Sequence, residues 1–412
     1  MTLPNSVDAV IVGAGLAGLS CAAHLHRAGR SVHVIEASDG IGGRVRSDVV
    51  DGFILDRGFQ VVLTEYPELH RQLDVEKLQL RLFDPGAAVW LNGKSHIVGD
   101  PFRQPLTTLS TAFAPIGTPF DKARIALLRM RLQRRSSPDL LRGVDISTAE
   151  VLREAGFSSK MIERFFRPLV GGIQLDPTLS ASRRMFDIVF KALGAGSAGV
   201  PAYGMNQIPM QLRDQLPIDA VTLATPVASI QSDGIVTAVG TQVRAKSIVI
   251  ATDGPSASNL VDIPTVASRS VSCIYFAAPQ APFDHKYITL NGSTEGPALN
   301  IAVMSNVAPA YAPEGQHLIA AAVPQSLDDS LEDSVRTQLR TWWGPAVDNW
   351  KHLRSYRIAH GQPDQSPPFA PKMNVHLGES LFICGDHRDT ASIQGALFSG
   401  RRCAEAVLQT LQ

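Results

Sequence analysis

Val7-Asp-Ala-Val-Ile-Val12 runs directly into Gly13-Ala-Gly15-Leu16-Ala17-Gly18, and the reading of that junction decides the fold. A helical stretch, Leu16 to Ala28, follows. A second apolar strand, Ser31 to Ile35, then ends at Glu36. Strand, glycine turn, helix, strand and acid, in that order, build a site for the pyrophosphate of a dinucleotide. Gly13 permits the tight turn, Gly15 admits a phosphate close to the backbone, and Gly18 lets the helix pack against the strand. Leu16 and Ala17 open the helix, whose free N–H groups and partial positive charge face the phosphates. Glu36 stands about twenty residues beyond the glycines, where a carboxylate accepts from ribose hydroxyls and repels a 2′-phosphate.

The residues after Glu36 narrow the dinucleotide. Glu36-Ala37-Ser-Asp-Gly-Ile-Gly42-Gly43-Arg44 resembles the flavin amine oxidase and phytoene desaturase superfamily, which includes protoporphyrinogen oxidase-like flavoproteins. The resemblance implies non-covalent FAD. It places the adenosine ribose on Glu36 and Ala37, with Gly42, Gly43 and Arg44 near the pyrophosphate and flavin. The far end of the chain resembles the same family. Ser380-Leu-Phe-Ile-Cys384 leads into Gly385-Asp386, then Ser392-Ile393-Gln394-Gly395-Ala396 opens a last helix. By resemblance, Asp386 meets the ribityl or phosphate region. Ser392, Ile393, Gln394 and Ala396 lie under the flavin N1–C2=O edge, where a helix N-terminus stabilises negative charge. Gly58-Phe59-Gln60 resembles the glycine turn beside the flavin. Val227 falls where the family pairs a strand with the adenine. Phe165 to Ile173 and Pro201 to Met205 resemble its cavity-lining helix end and its Pro-x-Gly-Gly-Met turn, with Tyr203 in place of the first glycine.

Composition sets the outer limits. The 412 residues suffice for two intertwined domains, and 38 Lys+Arg against 38 Asp+Glu leave no net field to attract nucleic acid. No uninterrupted apolar run approaches the ~18 residues of a membrane span. The first residues lack a basic leader, so neither a signal nor a transit peptide is expected. Four scattered cysteines fit a reduced, cytoplasmic setting, and the eleven histidines show no metal-ligand spacing, so no metal is expected.

The expected architecture is α/β. A Rossmann-type, glutathione reductase-like FAD-binding domain is assembled from residues 1–64, 200–255 and 375–412. An α+β substrate domain is assembled from 65–199 and 256–374. The first substrate stretch reads mostly helical: Tyr66–Leu73, Pro119–Arg135, Thr148–Ala155, Ser158–Leu169 and Ala181–Leu193. The second reads as strands with one helix, Leu327–Trp342.

The substrate half resembles the family loosely, and its chemistry stays open between readings. The first is dehydrogenation or desaturation of a lipophilic small molecule, isoprenoid- or tetrapyrrole-like, with hydride passing to flavin N5 and oxygen or a quinone as acceptor. The second is oxidation of an amine, for which the resemblance calls for a lysine near N5 and an aromatic pair. Lys286 and Lys191 are candidates for the lysine; Trp342, Trp343, Trp350, Tyr356 and Phe398 are candidates for the pair. The third is a flavoprotein without net redox chemistry, an isomerase or a lipid-binding protein. Tyr356, Arg357 and His360, on a strand expected to end near the flavin, are candidates to polarise or deprotonate a substrate. Lys122 to Arg135 is a basic amphipathic helix; the pattern is that of an ordinary surface helix whose apolar stripe packs inward, and it also suits a peripheral membrane contact.

Overall fold

The computed structural model describes residues 3–100, 103–104 and 114–411. Strand Ser6–Val12 lies at the centre of an eight-stranded sheet, parallel to Val32–Ile35 on one side and Gln242–Ile250 on the other. Its Ala9, Val10 and Ile11 are fully buried, as a strand covered on both faces requires. Val221–Thr222 extends the sheet beyond Val32–Ile35. Gln242–Ile250 is long enough to serve two partners on its other edge. Its first half pairs with Gly234–Thr237, and Ile248 to Ile250 pair in parallel with Leu381–Ile383. Strands from the beginning, middle and end of the chain therefore form one Rossmann-type layer. Helix Leu16–Arg27 crosses the closing helix Ile393–Thr410 closely: a Cβ at Gly400 would lie 2.2 Å from the Ala17 carbonyl oxygen.

The second sheet has seven strands, ordered Lys351–Pro363, Ser268–Ala278, His317–Pro324, Asn300–Val303, Thr289–Asn291, Gly86–Leu91 and Lys94–Gly99. The last two are a correction to the helical reading of 65–199. They form an antiparallel hairpin turned at Asn92 and Gly93, both with positive φ (53° and 71°). An Asn-Gly pair is the strongest short hairpin signal. The apolar run Ala87–Trp90, buried throughout, hides the alternation that would otherwise mark a strand. The expected helices are present as Pro67–Gln72, Pro119–Gln133, Thr148–Glu154 and Arg183–Ala195. The remaining one is composite. A π-helical turn, Ile162–Phe166, interrupts it and is followed by Arg167–Ile173, with Pro168, which has no N–H to donate, just after the bulge.

Asp56 ends the hairpin Ser47–Val50/Phe53–Asp56 and ties it to the Met205 turn and to Tyr311. It is 1% exposed; its carboxylate accepts from Ser47 Oγ at 2.5 Å, Met205 N at 2.9 Å and Tyr311 Oη at 2.8 Å. Burial pushes its pKa up to about 6 despite those donors. The folded protein then holds a proton that the unfolded chain releases at the ordinary carboxylate value. The stabilisation this group contributes is thus fully present below pH ~4 and is lost as the pH rises through the folded value, by roughly 3 kcal/mol. Urea midpoints followed across that window are expected to show this decline in the wild type and not in Asp56→Asn. An equal decline in both would contradict the assignment.

Candidate functional site

The two sheets enclose a cavity of about 1080 Å³. Its floor is the glycine turn. Gly13 has φ +110°, and a Cβ there would stand 2.8 Å from the Ala251 carbonyl oxygen. A Cβ at Gly18 would stand 2.0 Å from the Gly13 carbonyl oxygen, so Gly18 serves the packing of helix on turn and does not line the cavity. At Gly15 a Cβ would meet nothing within 4 Å: the backbone faces open cavity, as a pyrophosphate requires. Leu16 and Ala17, at the helix start, line the same region.

Glu36 closes the far end of the turn. Its Oε2 accepts from Ala14 N at 2.7 Å and its Oε1 from Ser38 N at 2.9 Å. Each oxygen keeps a second lone pair for a ribose hydroxyl. Ala37 and Val227 line the cavity beside it. Gly42 donates its N–H to the Ala14 carbonyl at 2.8 Å, which holds the Gly42–Gly43 segment against the turn.

Arg44 and Asp386 join the two ends of the chain. Arg44 Nη2 donates to Asp386 Oδ1 at 2.7 Å, and Nη1 donates to the Gly361 carbonyl at 2.9 Å. Burial alone would raise the Asp386 pKa; the Arg44 guanidinium outweighs it and holds the carboxyl below the usual range. Gly58, Phe59 and Gln60 form a neighbouring wall, with Gln60 Nε2 donating to the Arg44 and Arg57 carbonyls. Ser392, Ile393 and Ala396 present the start of the closing helix to the cavity, and Ser392 Oγ caps it by accepting from Gly395 N. Gln394 is turned away, its Oε1 accepting from Glu68 N. The glycine turn, the carboxylate and the ion pair fit a dinucleotide with a second nucleotide half.

Beyond Phe59 the cavity changes character. Phe59 and Phe83 meet edge to face with centroids 6.2 Å apart, and Ile125, Met161, Phe165 and Phe190 continue the apolar wall. Polar groups on this side are mostly committed: Asp100 pairs with Arg103 and Arg129, and Lys122 Nζ donates to the Ala114 carbonyl. Asn300 Nδ2 donates to the Pro168 carbonyl, Gln362 Nε2 to the Ile173 carbonyl, and Gln365 Oε1 accepts from Ala391 N. Gln174 and Asn300 escaped the sequence reading, although Gln174 directly follows the stretch Phe165 to Ile173 singled out there.

The candidate acid–base residues are not brought to this cavity. Tyr356 donates its hydroxyl to Asp48 at 2.7 Å, Arg357 pairs with Asp329 at 2.8 Å, and His360 Nδ1 lies 2.6 Å from Ser268 Oγ. For His360 a bulge is the cause: Ala359, His360 and Gly361 stand opposite the single residue Ser270, so the cavity receives Ile358, Gly361 and Gln362 from this strand. Lys286 is exposed; its backbone N–H donates to Asp84 and its side chain does not line the cavity. Lys191 donates to the Arg135 carbonyl. Trp342 stacks on Trp90, Trp343 and Trp350 pack beside it, and Phe398 lies among Lys372, Arg401 and Arg402. Among the described residues Lys122 is the one lysine in the cavity wall.

Residues 16–408 match the model of the flavin-containing amine oxidoreductase family. Putrescine oxidase of Kocuria rosea is 42% identical over 85 residues, 20% of this chain and 18% of that protein. Protoporphyrinogen oxidase 2 of Arabidopsis thaliana is 27% identical over 179 residues, 43% of this chain and 34% of that protein. The chain thus aligns with about a third or less of the length of these relatives. Cyclohexylamine oxidase from Brevibacterium oxydans has the same fold, with a TM-score of 0.72 at 17% identity, covering 99% of this chain and 100% of that one. With the dinucleotide cradle in place and nearly its whole length matched, the chain belongs to the flavin-containing amine oxidoreductase family.

Proposed function

We propose that the enzyme dehydrogenates or desaturates a lipophilic small molecule, isoprenoid- or tetrapyrrole-like. The observation that carries this reading is the apolar stretch of wall formed by Phe59, Phe83, Ile125, Met161, Phe165 and Phe190, in the same cavity as the dinucleotide cradle. FAD, when bound, supplies a hydride acceptor at N5. The protein's part is to place a C–H bond beside it and exclude water, which apolar walls do without an acid–base pair. Oxygen or a quinone is the proposed electron acceptor. The amine alternative lacks support in the cavity wall, where none of the candidate aromatic cage residues and neither Lys286 nor Lys191 is found. The test is an anaerobic panel of polyenes, porphyrinogens and amines, read as bleaching of the oxidised flavin band. The reading expects polyenes or porphyrinogens to bleach it; bleaching by amines alone would replace it. Lys286→Met is expected to leave the rate of flavin reduction within about twofold of wild type, as for a surface substitution. A loss of most of that rate would favour the amine alternative.

The same reading extends to delivery. Helix Pro119–Gln133 turns Ile125, Ala126 and Arg129 to the cavity. Phe120 (74% exposed), Leu127 (60%) and Met130 (41%) lie on its other face, beside the exposed Arg131 and Arg134. Among the described residues no helix is long and apolar enough to cross a membrane. A basic helix with an outward apolar stripe suits a contact with an anionic lipid surface instead. Co-sedimentation of the holoenzyme with vesicles containing phosphatidylglycerol should fall about tenfold in the Phe120→Glu/Leu127→Glu variant. Unchanged sedimentation would remove the membrane contact from the proposal.

A further inference from the structure

We propose that Gln174 is the polar anchor of the substrate, and that the lipophilic molecule it receives carries a hydroxyl group. This rests on the reading of the cavity as a lipophilic substrate site. Gln174 is 4% exposed, belongs to the cavity wall, and has neither Nε2 nor Oε1 hydrogen-bonded to any described residue. A buried carboxamide in that condition carries an energetic penalty, and such groups in folded proteins normally have a partner. The neighbouring amides are different. Gln362, Asn300 and Gln365 each spend a polar atom on the backbone, as described above, and so serve to hold the wall. Gln174 supports nothing of the kind. Its backbone N–H ends the helix Arg167–Ile173 by donating to the Val170 carbonyl, and its side chain is left over.

Its position explains what it meets. Gly361 accepts from Arg44, on the dinucleotide side, and the next residue, Gln362, donates to the Ile173 carbonyl immediately before Gln174. A Cβ at Gly361 would lie 2.6 Å from Leu175 Cδ1, so the segment bearing Gln174 packs directly on the strand that holds the arginine. The amide therefore sits where the dinucleotide half gives way to the apolar half. A reacting carbon near the flavin and a polar group held by Gln174 would then be close neighbours on one molecule. A hydroxyl suits both amide atoms at once: its oxygen accepts from Nε2–H and its proton goes to Oε1. A carbonyl satisfies the donor alone, and a hydrocarbon satisfies neither. The change needed in the protein is a side-chain torsion, since the backbone of residue 174 is already fixed by the helix end.

The test uses the holoenzyme and two probes with the same carbon skeleton, farnesol and its deoxygenated hydrocarbon, titrated from micelles against the visible flavin spectrum. Wild type is expected to bind the alcohol at least ~10-fold more tightly than the hydrocarbon, and Gln174→Met to reduce that ratio below ~3-fold with its FAD content unchanged. Absence of a preference in the wild type overturns the inference without reference to any variant, as does a preference that survives in Gln174→Met. Loss of FAD from Gln174→Met in the absence of probe assigns the amide to the cofactor and overturns it too. Binding of neither probe by wild-type holoenzyme overturns the lipophilic-substrate reading and the inference with it.

Discussion

Arg44→Met is expected to destabilise the folded protein by about 3–5 kcal/mol and to release its FAD. The size follows from what remains. Asp386 is 7% exposed at its side chain, and Arg44 Nη2, 2.7 Å away, is its partner in the ion pair. Removing the guanidinium leaves a carboxylate in a site that charges tolerate only when paired. The Gly361 carbonyl loses its donor at the same time. The effect has a defined pH dependence. Asp386 has its folded pKa depressed by Arg44, so the pair's stabilisation is present above the unfolded carboxylate value and is lost as the pH falls through the folded one. The gap between wild type and Arg44→Met in urea midpoint should therefore be widest near neutral pH and narrow in acid. Arg44→Met/Asp386→Asn, which removes the buried charge as well, should recover part of the loss. A gap that is absent near neutrality, or that widens in acid, would contradict the role given to the pair.

Glu36→Ala is expected to weaken FAD binding by about 2–3 kcal/mol, roughly 30- to 150-fold. Two losses combine. The ribose hydroxyls lose a charged acceptor, and Ala14 N and Ser38 N, which Glu36 holds at 2.7 and 2.9 Å, lose theirs. Glu36→Gln keeps one carbonyl acceptor and should fall between the two. Flavin fluorescence titration of the apoprotein gives the affinities. An alanine variant that copurifies with the wild-type amount of flavin would remove Glu36 from the site.

The cofactor half was legible in the sequence because its constraints are local. Gly13, Gly15 and Gly18 act within a single turn, and the burial of Val10 and Ile11 is visible as an unbroken apolar run. Glu36 needs no more than the length of one helix and one strand to reach that turn. Meeting of the chain ends at Arg44 and Asp386 is a long-range contact, and it was reached through family resemblance rather than spacing. The substrate half was less legible for a physical reason. Which side chains of Lys351–Pro363 face the cavity depends on a bulge, and a bulge reverses the alternation on which strand reading relies. His360 therefore looked placed for chemistry and instead meets Ser268, while Tyr356 and Arg357, ahead of the bulge, bond to Asp48 and Asp329. Gln174 carried no signal of its own. A glutamine after a glycine pair reads as a polar loop residue, and its burial emerges from the packing of helix Arg167–Ile173 against a distant strand.

The flavin content of the purified, FAD-replenished protein, measured before and after acid precipitation, bears most directly on the two chain ends closing around one dinucleotide. One FAD per chain, released intact into the supernatant, is the predicted result. Protein that stays colourless in excess FAD, or flavin that remains bonded to the precipitate, would contradict it.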